Sequence, residues 1–142
     1  MKYSTAGFTD DQLAVIAVAT KFLDGISARD KAGMLSLVLP SGGATLLRNG
    51  APIFTNLVGV VERIPFDHPQ EMSEIISGQP TVLIDRDIAM AWTPYEFYFD
   101  GVLHHVGTDI WSFLKTDGKW MISGLADNSR APDEPGSGEG NA

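Results

Sequence analysis

The stretch 88-IAMAWTPYEFYFDGVLHHVGTDIWSFLKTDGKWMISGLADN-128 decides the fold. It reads as three long antiparallel strands joined by two tight turns, Asp100-Gly101 and Asp117-Gly118, because Asp-Gly tolerates the positive φ angles that two-residue hairpins require. Counting outward from Asp100-Gly101 sets Phe99 opposite Val102, Glu96 opposite His105, Trp92 opposite Asp109 and Met90 opposite Trp111. The same count around Asp117-Gly118 sets Ile122 opposite Phe113, Gly124 opposite Trp111, Ala126 opposite Asp109 and Asn128 opposite Gly107.

Side chains alternate along a strand, so this register sorts the sheet into two surfaces. One carries Trp92, Glu96, Tyr98, His105, Asp109, Trp111, Phe113, Trp120 and Asn128. The other carries Tyr95, Phe97, Phe99, Val102, Val106, Ile110, Leu114, Met121 and Leu125, with His104 and Thr108 as polar exceptions. A mostly apolar face opposed to one that mixes aromatics with ionisable groups predicts core or dimer contact on one side and a ligand cavity on the other.

The rest of the composition narrows the function. A chain of 142 residues, 44% hydrophobic, accommodates one domain, placed at 1–130, with a Pro-, Gly- and acid-rich tail, 131–142, expected to be disordered. A net charge of −8 without any Lys/Arg cluster argues against nucleic acid. The absence of cysteine removes disulfides and thiolate chemistry. There is no apolar run of about 18 residues, so the expectation is a cytoplasmic protein with no membrane contact. Gly42-Gly43 reads as a turn rather than a phosphate loop, and His104 and His105 should point to opposite faces of a strand. Neither a cofactor nor a metal is therefore expected.

Ahead of the hairpins, Thr9 with Gln12 forms a capping-box pattern that starts a helix running to about Ser27, with Leu13, Ile16, Ala17, Leu23 and Ile26 facing a sheet. Asp30 caps a second helix through Met34, Leu35, Val38 and Leu39, stopped by Pro40. Ala44 to Arg48 reads as a strand that returns through Asn49-Gly50, and Thr55 or Asn56 caps a third helix. Pro65 to Pro69 is a loop, either a plain connection or a lid; Glu71 to Ser77 reads equally as helix or strand; Thr81 to Ile84 is a strand.

This order of elements resembles the NTF2-like superfamily, an α+β cone whose curved antiparallel sheet wraps around the N-terminal helices, and is most similar to SnoaL-like (DUF4440-like) proteins. The carrying residues are Ala91-Trp92, Pro94-Tyr95-Glu96-Phe97-Tyr98, Gly101, His105, Gly107, Asp109, Lys115-Thr116, Gly118, Trp120 and Leu125-Ala126-Asp127, within about residues 8–130. Such motifs specify a fold better than a reaction. Compared with ketosteroid isomerase, Asp109 matches the neutral aspartic acid, followed by Phe113, but Arg48 stands at the base position and Phe22 at the tyrosine position. Arginine cannot act as a base near neutral pH, so the resemblance implies that the Asp109 face looks into the cone rather than that this activity is inherited.

Asp109 next to Trp92 and Trp111 should have a raised pKa, since an apolar wall disfavours the carboxylate. It is either a pocket acid working with His105 or a buried anchor paired with Arg48, Asn128 or the backbone; likewise Glu96 opposite His105 is either an orienting dyad or a cross-strand ion pair. The reading that follows is a homodimeric NTF2-like protein whose pocket binds a small, mostly apolar or aromatic molecule through Trp92, Glu96, Tyr98, Trp111, Asn128, Arg48 and Phe22. The alternatives are a cofactor-independent isomerase, cyclase or dehydratase acting on a ring ketone or polyketide with Asp109 and His105 as acid and base, and a structural dimerisation module.

Overall fold

At the three Xaa-Gly turns, Asn49, Asp100 and Asp117 have φ of 53°, 48° and 51°, and the following glycines 84°, 77° and 77°. Paired positive φ values match the right-handed twist of the strands they join, so each turn closes a two-residue hairpin. The computed structural model describes residues 2–132, and the elements run α1 (Asp10–Ala28), α2 (Lys31–Leu35), β1 (Val38–Arg48), β2 (Ala51–Asn56), α3 (Leu57–Glu62), β3 (Met72–Ile76), β4 (Thr81–Asp85), β5 (Ile88–Phe99), β6 (Val102–Thr116) and β7 (Lys119–Ser129). Most of the expected tail, 133–142, lies outside the described residues.

Helix α1 begins at the expected capping box: Thr9 accepts from the Gln12 backbone and Gln12 accepts from the Thr9 backbone. Its buried stripe is Val15, Ile16, Ala19, Phe22, Leu23 and Ile26, while Ala17, expected inside, is exposed. The helix ends at Arg29, in the left-handed conformation with φ 55°. From there the Arg29 guanidinium donates to the carbonyls of Phe66, His68 and Gln70, fastening the 65–70 loop to the end of α1.

Helix α2 is shorter than expected and stops at Leu35, because Val38 already pairs with Ile122 as the start of β1. Gly42-Gly43, expected as a turn, is strand, and β1 runs parallel to β7 with a register shift between Val38 and Gly43. A Cβ at Gly42 would stand 2.3 Å from the Ser123 carbonyl oxygen, so only glycine lets the two backbones approach there. Residues 72–76 resolve as strand β3.

The sheet has seven strands in the order β2-β1-β7-β6-β5-β3, with β4 also pairing with β5. Phe99 faces Val102 as expected, but a bulge between Phe97 and Tyr98 leaves His104 unpaired, and every pair beyond it moves by one residue. His105 therefore faces Phe97, Asp109 faces Thr93 and Trp111 faces Ala91, in place of Glu96, Trp92 and Met90. A second bulge at Ser112/Phe113 sets Trp111 opposite Leu125 and Asp109 opposite Asp127, in place of Gly124 and Ala126. Bulges add twist, and the sheet curls so that its concave face receives α1. There Trp111, Phe113 and Ile122 are fully buried, Phe22 meets Trp111 edge-on at 5.7 Å, and Trp111 Nε1 donates to Thr93 Oγ1 at 2.9 Å. Among the described residues no helix is long and apolar enough to cross a membrane.

Gly42→Ala should lose about 1–3 kcal/mol in urea unfolding through backbone overpacking. Gly43→Ala, whose Cβ would meet nothing within 4 Å, should be close to neutral; equal effects of the two would refute the close-approach explanation.

Candidate functional site

Between α1, the end of α3 and the concave face lies a cavity of about 530 Å³. Its walls are apolar: Phe22, Leu23 and Ile26 from α1, Val60 and Ile64 at α3, Met72 from β3, Phe97 and Phe99 from β5, and Leu125 from β7. Into this lining β3 projects Glu74, β5 Tyr95, β6 His105 and Asp109, and β7 Asp127. Tyr95 packs its ring over Gly107, where a Cβ would come within 2.8 Å of the ring and the hydroxyl.

Asp109 is 3% exposed, and among the described residues no amine, amide or hydroxyl donor reaches its Oδ2. It shares a hydrogen bond with Glu74, which exists only while one of the two carboxyls carries a proton. Burial, then the charge and hydrogen bond of Glu74, hold the Asp109 carboxyl well above the usual carboxylate range. Burial pushes Glu74 up to about 7, while accepting from Asp109 pulls the other way, so Asp109 is the member that carries the shared proton. The surface that Glu74 keeps accessible opens onto the cavity. Burial and the neighbouring carboxylates raise the Tyr95 phenol, which therefore stays protonated.

Arg48 forms an ion pair with Asp127. Burial, with the charges of His104 and Arg48, lowers His105 to about 4, so its imidazole is neutral near pH 7. His105 stacks on Phe97 at 4.6 Å. His104 was expected on the opposite face, but the bulge brings it alongside: the two Nδ1 atoms are 2.9 Å apart and both rings line the cavity.

Of the residues read from the sequence as site candidates, Asp109, His105, Trp111, Arg48 and Phe22 line the cavity and Trp92, Glu96, Tyr98 and Asn128 do not. The register shift at the bulge turns Trp92 outward, 47% exposed and opposite Ile110. Glu96 bonds Lys2 and the Tyr98 hydroxyl, each at 2.7 Å, instead of orienting His105. Asn128 accepts from the Thr108 backbone, and Asp127 takes the inward place on β7. Sequence reasoning missed Glu74, whose signal was a lone carboxylate between Met72 and Ile76 at alternate positions of an apolar stretch. It also placed Tyr95, Phe97 and Phe99 on the wrong surface.

A carboxyl whose folded pKa exceeds its unfolded value stabilises the fold below the unfolded value and loses that contribution as pH rises through the folded one. For Glu74 the window runs from 4.5 to about 7, and Asp109 extends it upward from 3.8. Asp109→Asn should therefore gain stability at pH 8, by about 1–3 kcal/mol, and gain less at pH 5. Thermal unfolding at the two pH values checks this, and a pH-independent change would contradict it.

No protein-family model and no curated protein matches the sequence. Solved structures do match. A putative calcium/calmodulin dependent protein kinase II association domain from Xanthomonas campestris superposes with a TM-score of 0.72 at 17% identity, over 94% of this chain and 96% of that one. The β subunit of a putative aromatic-ring-hydroxylating dioxygenase from Novosphingobium aromaticivorans gives 0.69 at 13% identity, over 85% and 90%. An NTF2-like protein of unknown function from Shewanella baltica gives 0.63 at 16% identity, over 87% and 98%. With N-terminal helices held in a curved, unclosed sheet and similarity along nearly the whole chain, the protein has the α+β fold of the NTF2-like superfamily.

Proposed function

We propose that the protein binds a small, mostly apolar carbonyl compound, a ring ketone or polyketide, and moves a proton on it as a cofactor-independent isomerase, cyclase or dehydratase. The observation that carries this reading is the Glu74–Asp109 pair set into an apolar cavity. A base works best when its pKa lies near the working pH, and Glu74, at about 7, meets that condition. When substrate binds, neutral Asp109 turns its single O–H from Glu74 to the substrate oxygen, which frees Glu74 to act as the base, and the Tyr95 phenol supplies a second donor. Glu74 takes the proton next to the carbonyl, the C–H electron pair moves into the enolate, and the two O–H groups hold the oxygen. Where the ketone carries a β,γ double bond the enolate extends to a dienolate, and return of the proton to its γ carbon moves the double bond into conjugation and completes an isomerisation. The base is thus Glu74 rather than His105, whose neutral ring serves as a polar contact at the cavity wall.

Incubation with cyclic ketones, steroids and aromatic polyketides in deuterated water should place deuterium at the carbon next to the carbonyl, at a rate that rises with pH through about 7 as Glu74 loses its proton. Glu74→Gln should slow this exchange by about 10²- to 10⁴-fold. Undiminished exchange in Glu74→Gln, read by mass spectrometry, would rule out this base.

A homodimer through the convex sheet face is part of the same reading. Leu83, Ile88, Met90, Trp92, Ile110 and Leu114 are each at least 36% exposed, and they pair across β4, β5 and β6 as Leu83 with Met90, Trp92 with Ile110 and Ile88 with Leu114. A contiguous apolar patch of this kind marks an interaction surface. Sedimentation should give a dimer for the wild type and a folded monomer for Ile110→Lys; a monomeric wild type would refute it.

A further inference from the structure

Besides the Glu74–Asp109 pair, the cavity lining carries arginines, in a chain whose net charge is −8. Arg48, Arg63 and Arg130, three of the chain's five arginines, line it, and none of the five lysines does. They come from three places: Arg48 ends β1 opposite Ser129, Arg130 follows directly on β7, and Arg63 is the C-cap residue of α3. Arg48 is committed to Asp127. Arg63 and Arg130 make no side-chain ion pair or hydrogen bond among the described residues. Two uncommitted guanidinium groups on an apolar cavity are a receptor for an anion, and their planar donor forks match a carboxylate better than lysine would.

We propose that the ligand is an acid as well as a carbonyl compound: its carbonyl lies at Glu74 and Asp109, its apolar body along Phe22 and Ile64, and its carboxylate at Arg63 and Arg130. The placement of the carbonyl rests on the proton-transfer reading above; the placement of the carboxylate rests on the arginines alone. Attraction to Arg63 and Arg130 and repulsion from the charge of the carboxyl pair together set the orientation of such a molecule in the cavity.

Calorimetric titration of the full chain with benzoylpropionate and with its methyl ester tests the assignment. The wild type should bind the acid about tenfold or more tightly than the ester, with a preference that shrinks in high salt. Arg63→Gln/Arg130→Gln should abolish the preference while leaving ester affinity unchanged, and Arg63→Lys/Arg130→Lys should restore part of it. Equal binding of acid and ester by the wild type, or a preference that survives in the double glutamine variant, overturns the proposal. Deuterium exchange on the same two compounds separates the readings: exchange without acid preference refutes only the carboxylate site, and acid preference without exchange refutes only the proton transfer.

Discussion

The unpaired position of His104 is the constraint from which the site follows. A strand has a period of two, so skipping one residue in the β5–β6 ladder exchanges inside for outside along everything beyond it. Tyr95 and Phe97 thereby enter the cone and Trp92 leaves it. The same bulge aligns two adjacent histidines that a regular strand would have separated. One extra residue thus sets which side chains of β5 share the concave face with Asp109 and His105.

Within that face the carboxyl pair has an unfavourable location by the ordinary rules of burial. An ionised carboxylate in an apolar cavity is costly unless paired, and the nearest arginine is occupied by Asp127. The arrangement is tolerated because Asp109 keeps its proton and donates it to Glu74, so the pair carries at most one charge near neutral pH. Arg48 and Asp127 form a second unit beside it, nearly neutral in sum. Around the reacting proton the four groups Glu74, Asp109, Arg48 and Asp127 thus carry little net charge, a condition in which one proton moves at low electrostatic cost.

Much of this was legible in the sequence, and the limits have physical causes. The Asp-Gly and Asn-Gly turns, the capping box and the general order of elements follow from local stereochemistry, and they carried the fold. Asp109, His105 and Trp111 were assigned to the cavity because alternation along β6 keeps them on one face wherever the partner strand slips, and Arg48 and Phe22 because the ketosteroid isomerase comparison set them at site positions. Trp92, Glu96, Tyr98 and Asn128 were misassigned because a bulge is a tertiary choice that no turn residue announces. Glu74 was hidden by a segment too short for periodicity to distinguish helix from strand.

Arg29 has a meaning for the cavity. Its guanidinium holds three carbonyls of the loop that contributes Pro65 to the cavity lining and lays His68 over Phe99 at 5.3 Å. Swinging that loop aside requires three charge-assisted bonds to break together at a helix end that is itself the closing turn of α1. Arg29 thus ties the end of α1 and one edge of the cavity lining into a single unit.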